Sequence, residues 1–353
     1  MKNKNDKGLF DESFRLEKLS KQNDPLVLLK GLIPWNMFTD TLNEIFKKED
    51  KGIGGREPFE YLMMFKILIL QRYYNLSDDQ TEYQILDRLS FMRFLDLKLS
   101  DKVPDSKTIW LFRETLIENG VIENMFLLFR EELIKHGYIG HEGKIVDASF
   151  VEVPRQRNSR EENKVIKEGE IPESWKEEKH KLSQKDIDAR WTKKNNIPYF
   201  GYKDHTKVDR KSKMIDTYKV TDASVHDSQP LDDLLEESDK DQDLHADSAY
   251  TGEIQEETIK NKGLKNCVIE KGYKNKPLTE EQKEKNKEKS RIRVRVEHVY
   301  GFIENSMNGS FINSIGFKRA EGNIGLINLT YNFFRYIQLI KMNYMGEVCP
   351  IVK

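Results

Sequence analysis

The stretch GKIVDASFVEV, Gly143 to Val153, is where the character of this 353-residue chain changes. Apolar and small residues alternate there in the two-residue period of a strand, and an aspartate, Asp147, sits at its centre. An acid in mid-strand is disfavoured and tends to need a partner or a function. Upstream, from about Asp24 to Gly140, the apolar spacing is helical almost throughout. Pro58 can open a helix that carries Tyr61, Phe65, Leu68 and Arg72 on one face, and Ser77 with Gln80 has the form of a capping box. Pro104 and Asp105 introduce KTIWLFRETLIENG, closed by Gly120. This half reads as an all-helical domain, residues 1–140. Its short helices admit a helix-turn-helix DNA reader, and ordinary helical packing gives the same pattern.

Downstream, a polar stretch at 155–196, with RQRNSREENK and KEEKHK, reads as a solvated loop or flexible helix. PYFGYKDHTKVD and KMIDTYKVTDAS then resume strand patterns and suggest an antiparallel meander with the first strand. VHDSQPLDDLLEE is predicted as a helix, LHADSAYTG as a short strand and turn, EIQEETIKNKG as a helix closed by Gly263, and LKNCVIEKG as another strand. Three strands followed by alternating helix and strand is an α/β order with one mixed sheet, assigned to residues 141–345.

The formal net charge of -1, from 59 basic and 60 acidic residues, leaves any nucleic-acid argument to local patches. The two cysteines, Cys267 and Cys349, have no metal-ligand spacing in sequence, which makes zinc improbable and a reducing compartment the default. MKNKNDKGLFDES lacks the apolar core of a secretion signal, and YLMMFKILIL, Tyr61 to Leu70, is too short to span a membrane and carries Lys66. A cytoplasmic protein is expected.

RIRVRVEHVYGFIE, Arg291 to Glu304, begins like a strand. Ile292, Val296, Val299, Ile303 and Met307 nevertheless recur at helical intervals, so the segment is predicted as a helix beginning at Thr279, where a capping box follows Pro277. Glu297 lies at the border of that stripe, one turn after Arg293. Taken alone it is a surface i,i+4 pair. Asp147 and Asp247 alter that reading. Asp247 ends the short strand in LHADSAYTG, at a carboxyl end where α/β sheets bind ligands. Two strand aspartates and a helix-border glutamate make a coherent oxygen-donor set for Mg²⁺ or Mn²⁺, and two such ions serve an in-line phosphoryl displacement. There is no phosphate-binding G-x-x-x-x-G-K-[ST] loop and no G-x-S-x-G elbow. His205 and His226 read as local hydrogen bonders.

These segments together resemble the DDE-class insertion-sequence transposases, in particular the insertion-sequence-five-like branch, over roughly residues 54–335. The resemblance rests on KIVDASFVEVPRQRN, DIDARWTKKNNIPYFGYKDHTKVD, VTDASVHDSQ, LHADSAYTG and RIRVRVEHVYGFIE in that order. It implies an RNase H-like catalytic domain, a helical N-terminal domain that helps bind element ends, divalent-metal dependence and multimeric assembly on DNA. Carried over by position, Asp147, Asp247 and Glu297 match the catalytic triad. Arg293 matches an arginine that meets DNA phosphate or orients the acid. Ser290 stands where a tyrosine is expected and Glu304 where a lysine is expected.

The function expected is therefore a DNA transposase that binds terminal inverted repeats and cuts and joins DNA through metal-bound Asp147, Asp247 and Glu297. Bases from Lys283 to Arg295 would contact phosphates. Two other outcomes remain open on sequence: a transposase-derived DNA-binding regulator that does not cleave, and a plain metal-dependent nuclease.

Overall fold

The computed structural model describes residues 11–22, 24–46, 57–273 and 277–342, without the side chains of Glu12 and Lys179. Residues 1–10, Gly54 and Cys349 lie outside the described residues. The chain forms two compact units. One comprises residues 1–119 and 333–353, and the other Gly120–Asn332.

The first unit contains the helices Tyr61–Tyr73, Asp78–Asp87 and Ser106–Glu118, and the last two of these carry the expected start signals. Ser77 and Gln80 form a reciprocal capping box, and Asp105 caps the third helix by accepting from the Thr108 amide at 2.7 Å. The first of these helices begins at Tyr61 instead of Pro58. The unit closes around edge-to-face aromatics: Trp35 meets Phe65, Phe94 and Phe333 at centroid distances of 6.3, 5.7 and 5.4 Å. Arg113 forks onto both oxygens of Asp78, at 2.6 and 2.9 Å.

The second unit is built on one six-stranded mixed sheet: β1 Lys144–Glu152, β2 Arg190–Lys194, β3 Ile197–Asp209, β4 Ile215–Asp222, β5 Asp243–His245 and β6 Lys265–Asn266. The long β3 pairs antiparallel with β1 along one edge, and with β2 and then β4 along the other. β5 and β6 add in parallel beside β1. Three antiparallel strands extended by parallel ones, with helices around them, is the RNase H-like arrangement. Where β3 changes partner, Gly201 adopts φ +150°, and a Cβ there would lie 2.3 Å from the Val151 carbonyl oxygen, so only glycine fits. One face is sealed by Val146, Leu231, Leu234, Leu244, Tyr250 and Ile259.

The helix Val121–Lys135, which the sequence grouped with the helical half, packs in this unit through Phe126 against Tyr218 and Arg130 against Asp216. Asp216 also meets Lys144 at 2.9 Å and Lys207 at 3.4 Å, all almost fully buried.

Four expectations change in detail. VHDSQPLDDLLEE yields only one helical turn, Leu231–Leu234, because Asp227 to Pro230 form turns first. LKNCVIEKG supplies only the two-residue β6. The polar stretch at 155–196 is structured. Ser159 and Glu162 form a capping box for Arg160–Lys167, the fully buried Trp175 donates to Glu162 at 2.6 Å, and β2 completes the segment. Apolar anchors spaced that far apart give no periodic signal. Lastly, the helix from Thr279 is not continuous: Glu280–Arg293 gives way to a tighter turn at Val294–Val296 before Glu297–Met307. Val296, Val299, Ile303 and Met307 are buried as the stripe requires. No described helix is long and apolar enough to cross a membrane.

Candidate active site

Asp147 stands in β1 opposite Thr206 of β3, and 8% of it is exposed. Its Oδ1 accepts from the Ala148 amide at 2.9 Å. β1 and β5 run in parallel with Ile145 beside His245, so continuing that register by two residues brings Asp247 level with Asp147 just past the end of β5. Neighbouring strands lie about 4.8 Å apart, which is why two acids 100 positions apart in sequence share one rim. Asp247 stays extended (φ -76°, ψ 176°) and caps the turn Ser248–Tyr250 by accepting from the Ala249 amide at 2.8 Å.

Glu297 opens the helix Glu297–Met307, at its positive end, with half its side chain in solvent. The expected pair with Arg293 is present, Nη2 donating to Oε1 at 2.9 Å. That pair is more than a surface contact. The second arm of the same guanidinium, Nη1, donates to Asp147 Oδ2 at 2.8 Å, tying the helix Glu280–Arg293 to the central strand.

Burial pushes the Asp147 carboxyl up to about 6; Asp247 and Glu297 push in the same direction, against the Ala148 amide and Arg293. Burial opposes the charge on Arg293, but Asp147, Glu297 and Asp247 together hold it above its ordinary range. A carboxylate group this incompletely compensated suits a further cation, and three hard oxygen donors suit a divalent one. Among the described residues, however, the three carboxylates do not bring ligand oxygens within 4.8 Å of one another; two of them, Asp147 and Glu297, are held on the Arg293 guanidinium.

Two tyrosines that sequence reasoning passed over complete the surroundings. Tyr300, one turn into the helix Glu297–Met307, shares a 2.7 Å hydrogen bond with Thr206, the residue paired with Asp147. Tyr250 is buried, and burial together with Asp147, Asp227 and Asp247 raises its hydroxyl well above the ordinary value. Its place in SAY, just after Asp247, was the available signal. His205 and His226 act as local hydrogen bonders, to Thr221 at 2.8 Å and to Ser228 at 3.0 Å.

The family model described as Transposase DDE domain matches residues 139–333, more than half of the chain. The chain belongs to the DDE transposases. A second model, Transposase domain (DUF772), matches residues 14–115 of the transposase. Among solved structures, the cryo-EM structure of a piggyBac transposase synaptic complex with hairpin DNA is similar, at 15% identity over 92% of this chain and 76% of that one, with a TM-score of 0.42. Family membership makes the protein an enzyme of DNA transposition whose chemistry depends on divalent metal.

Proposed function

We propose that this transposase, of the insertion-sequence-five-like branch, binds the terminal inverted repeats of its own insertion sequence, cleaves DNA at those ends and joins the freed 3′-hydroxyl to target DNA. The reading rests above all on one observation: Arg293 holds Asp147 and Glu297 together at the rim where the sheet register places Asp247. Asp147, Asp247 and Glu297 are the catalytic carboxylates and would hold two Mg²⁺ or Mn²⁺ ions. When bound, these supply Lewis-acid stabilisation of the attacking and leaving oxygens.

The chain's own residues do the rest. β1 and β5 fix the two aspartates on rigid backbone, and the Val294–Val296 turn sets the start of the next helix so that Glu297 reaches toward them. Arg293 keeps the acids compensated, and its side chain is still one-fifth exposed, so it can also meet a DNA phosphate. The helix Glu280–Arg293 buries no residue, and its lysines supply phosphate contacts along the DNA backbone. The helical N-terminal unit reads the element ends, and the enzyme works as a homo-oligomer on DNA.

The test is strand transfer of pre-cleaved end DNA into a target plasmid with Mg²⁺. Asp147→Asn, Asp247→Asn and Glu297→Gln should each lower joining by at least about 10³-fold, roughly 4 kcal/mol of transition-state stabilisation. Unchanged joining by Asp147→Asn would overturn the catalytic assignment. Cutting without joining in the native chain would make it a nuclease, and specific end binding without either reaction a regulator.

A further inference from the structure

We propose that Asp243, His245 and Cys267 form a binding site for a zinc-class divalent cation, separate from the carboxylate triad. Sequence spacing concealed it, because the donors come from two neighbouring strands. β5 and β6 pair with Leu244 beside Asn266, and the Cys267 amide continues the ladder by donating to the Leu244 carbonyl at 2.9 Å, which places Cys267 alongside His245. Asp243 lies two residues before His245 and so shares its face of β5. One carboxylate oxygen, one imidazole nitrogen and the thiol sulfur all lie within 4.8 Å of one another.

The second observation is the state of the imidazole. His245 is 3% exposed, and neither Nδ1 nor Nε2 has a hydrogen-bond partner among the described residues. A buried ring with both nitrogens unsatisfied is costly, whereas a metal takes one nitrogen directly as a ligand. The donor set decides the class of ion. Thiolate with imidazole selects zinc-like cations over Mg²⁺, and three protein ligands leave a fourth position of the tetrahedron for water. In such a tetrahedron donors stand about 3.5 Å apart, so none of these separations has to shorten by more than about 1.3 Å. The surrounding charge is mixed. Arg210 approaches Asp243 at 3.4 Å, and Lys289 is directed to the Val268 carbonyl at 2.9 Å and to Glu270 at 3.5 Å.

The position gives the site a consequence. His245 is the last residue of β5 and Asp247 follows two residues later, just past the strand, so an ion joining β5 to β6 stiffens the strand end that leads into Asp247. The ion is structural in this reading and touches no reacting atom.

Cobalt is the probe. In full-length protein carrying Cys349→Ser, so that Cys267 is the sole thiol, one equivalent of Co²⁺ should produce a thiolate-to-cobalt charge-transfer band that Zn²⁺ removes and excess Mg²⁺ does not. The band should persist in Asp147→Asn and disappear in Cys267→Ser, which separates this site from the triad. As a second measure that needs no variant at the site, equimolar Zn²⁺ should slow alkylation of Cys267 by about tenfold. Absence of the band, its survival in Cys267→Ser, or alkylation indifferent to Zn²⁺ would each overturn the proposal.

Discussion

β1 carries two buried electrostatic centres three residues apart, and they are built on opposite terms. At Lys144 the strand meets Asp216, an acid enclosed by Arg130, Lys144 and Lys207 at 2.6, 2.9 and 3.4 Å. Burial alone would raise that carboxyl, but the three cations outweigh it and drive it well below the usual carboxylate range. At Asp147 the strand meets one cation, Arg293, shared with a second acid, and the carboxyl is pushed up to about 6. The first centre is saturated and clamps β1, β3 and β4 to the helix Val121–Lys135. The second has acceptor capacity left over, which suits the proposed role of this site in taking a cation and a polyanion.

The largest expected effect separates the two centres by kind. Asp147→Asn should abolish strand transfer with a Tm unchanged or higher at pH 8. The native carboxyl holds its proton between about pH 4 and 6 more readily than the unfolded chain does, so native stability falls as pH rises through that window, and asparagine removes the loss. A Tm lowered by many degrees would place Asp147 in the same structural class as Asp216.

Asp216→Asn should do the reverse. With Lys144 and Lys207 left buried and undercompensated, destabilisation by about 3–5 kcal/mol is expected in urea unfolding. A near-native midpoint would show that Glu236 and Asp239, which also reach Lys207 at 3.4 and 2.7 Å, suffice.

Arg293→Gln tests the shared cation. Without it the Asp147 carboxyl is pushed further up, so the rising limb of the pH–rate profile for joining should move to higher pH, by about one unit. A limb that stays in place would mean that Arg293 serves DNA phosphate alone.

Asp204 extends the comparison beyond Asp147: it is a buried acid with a 3.2 Å hydrogen bond from Asn328, whose carboxyl burial pushes up to about 7. Native Asp204 retains its proton from about pH 4 to 7, so stability falls with rising pH across that window. Asp204→Asn should flatten this slope in Tm measurements from pH 5 to 8. The smallest effect is at the cap of the helix Glu280–Arg293, where Thr279→Ala should cost about 1 kcal/mol and slightly weaken end-DNA binding.

The sequence by itself settled whatever depends on near neighbours. The capping boxes at Ser77 and Thr279 are local hydrogen-bond arrangements. Alternation in β1 and the stripe from Val296 to Met307 are periodic, so strand, helix and the packed face of each could be read directly. Motif order carried the family resemblance. What needed tertiary structure was everything set by register and shared partners. The alignment of Ile145 with His245 places Asp247 beside Asp147, the second arm of Arg293 converts a surface pair into a bridge, and the β5–β6 ladder gathers Asp243, His245 and Cys267. The tight turn before Glu297 and the buried Trp175 in the polar stretch belong to the same class. A periodic pattern reports which face is buried. It does not say against which residue, and a charged site is defined by that second fact, because the energy of a buried carboxylate depends on the particular cations around it.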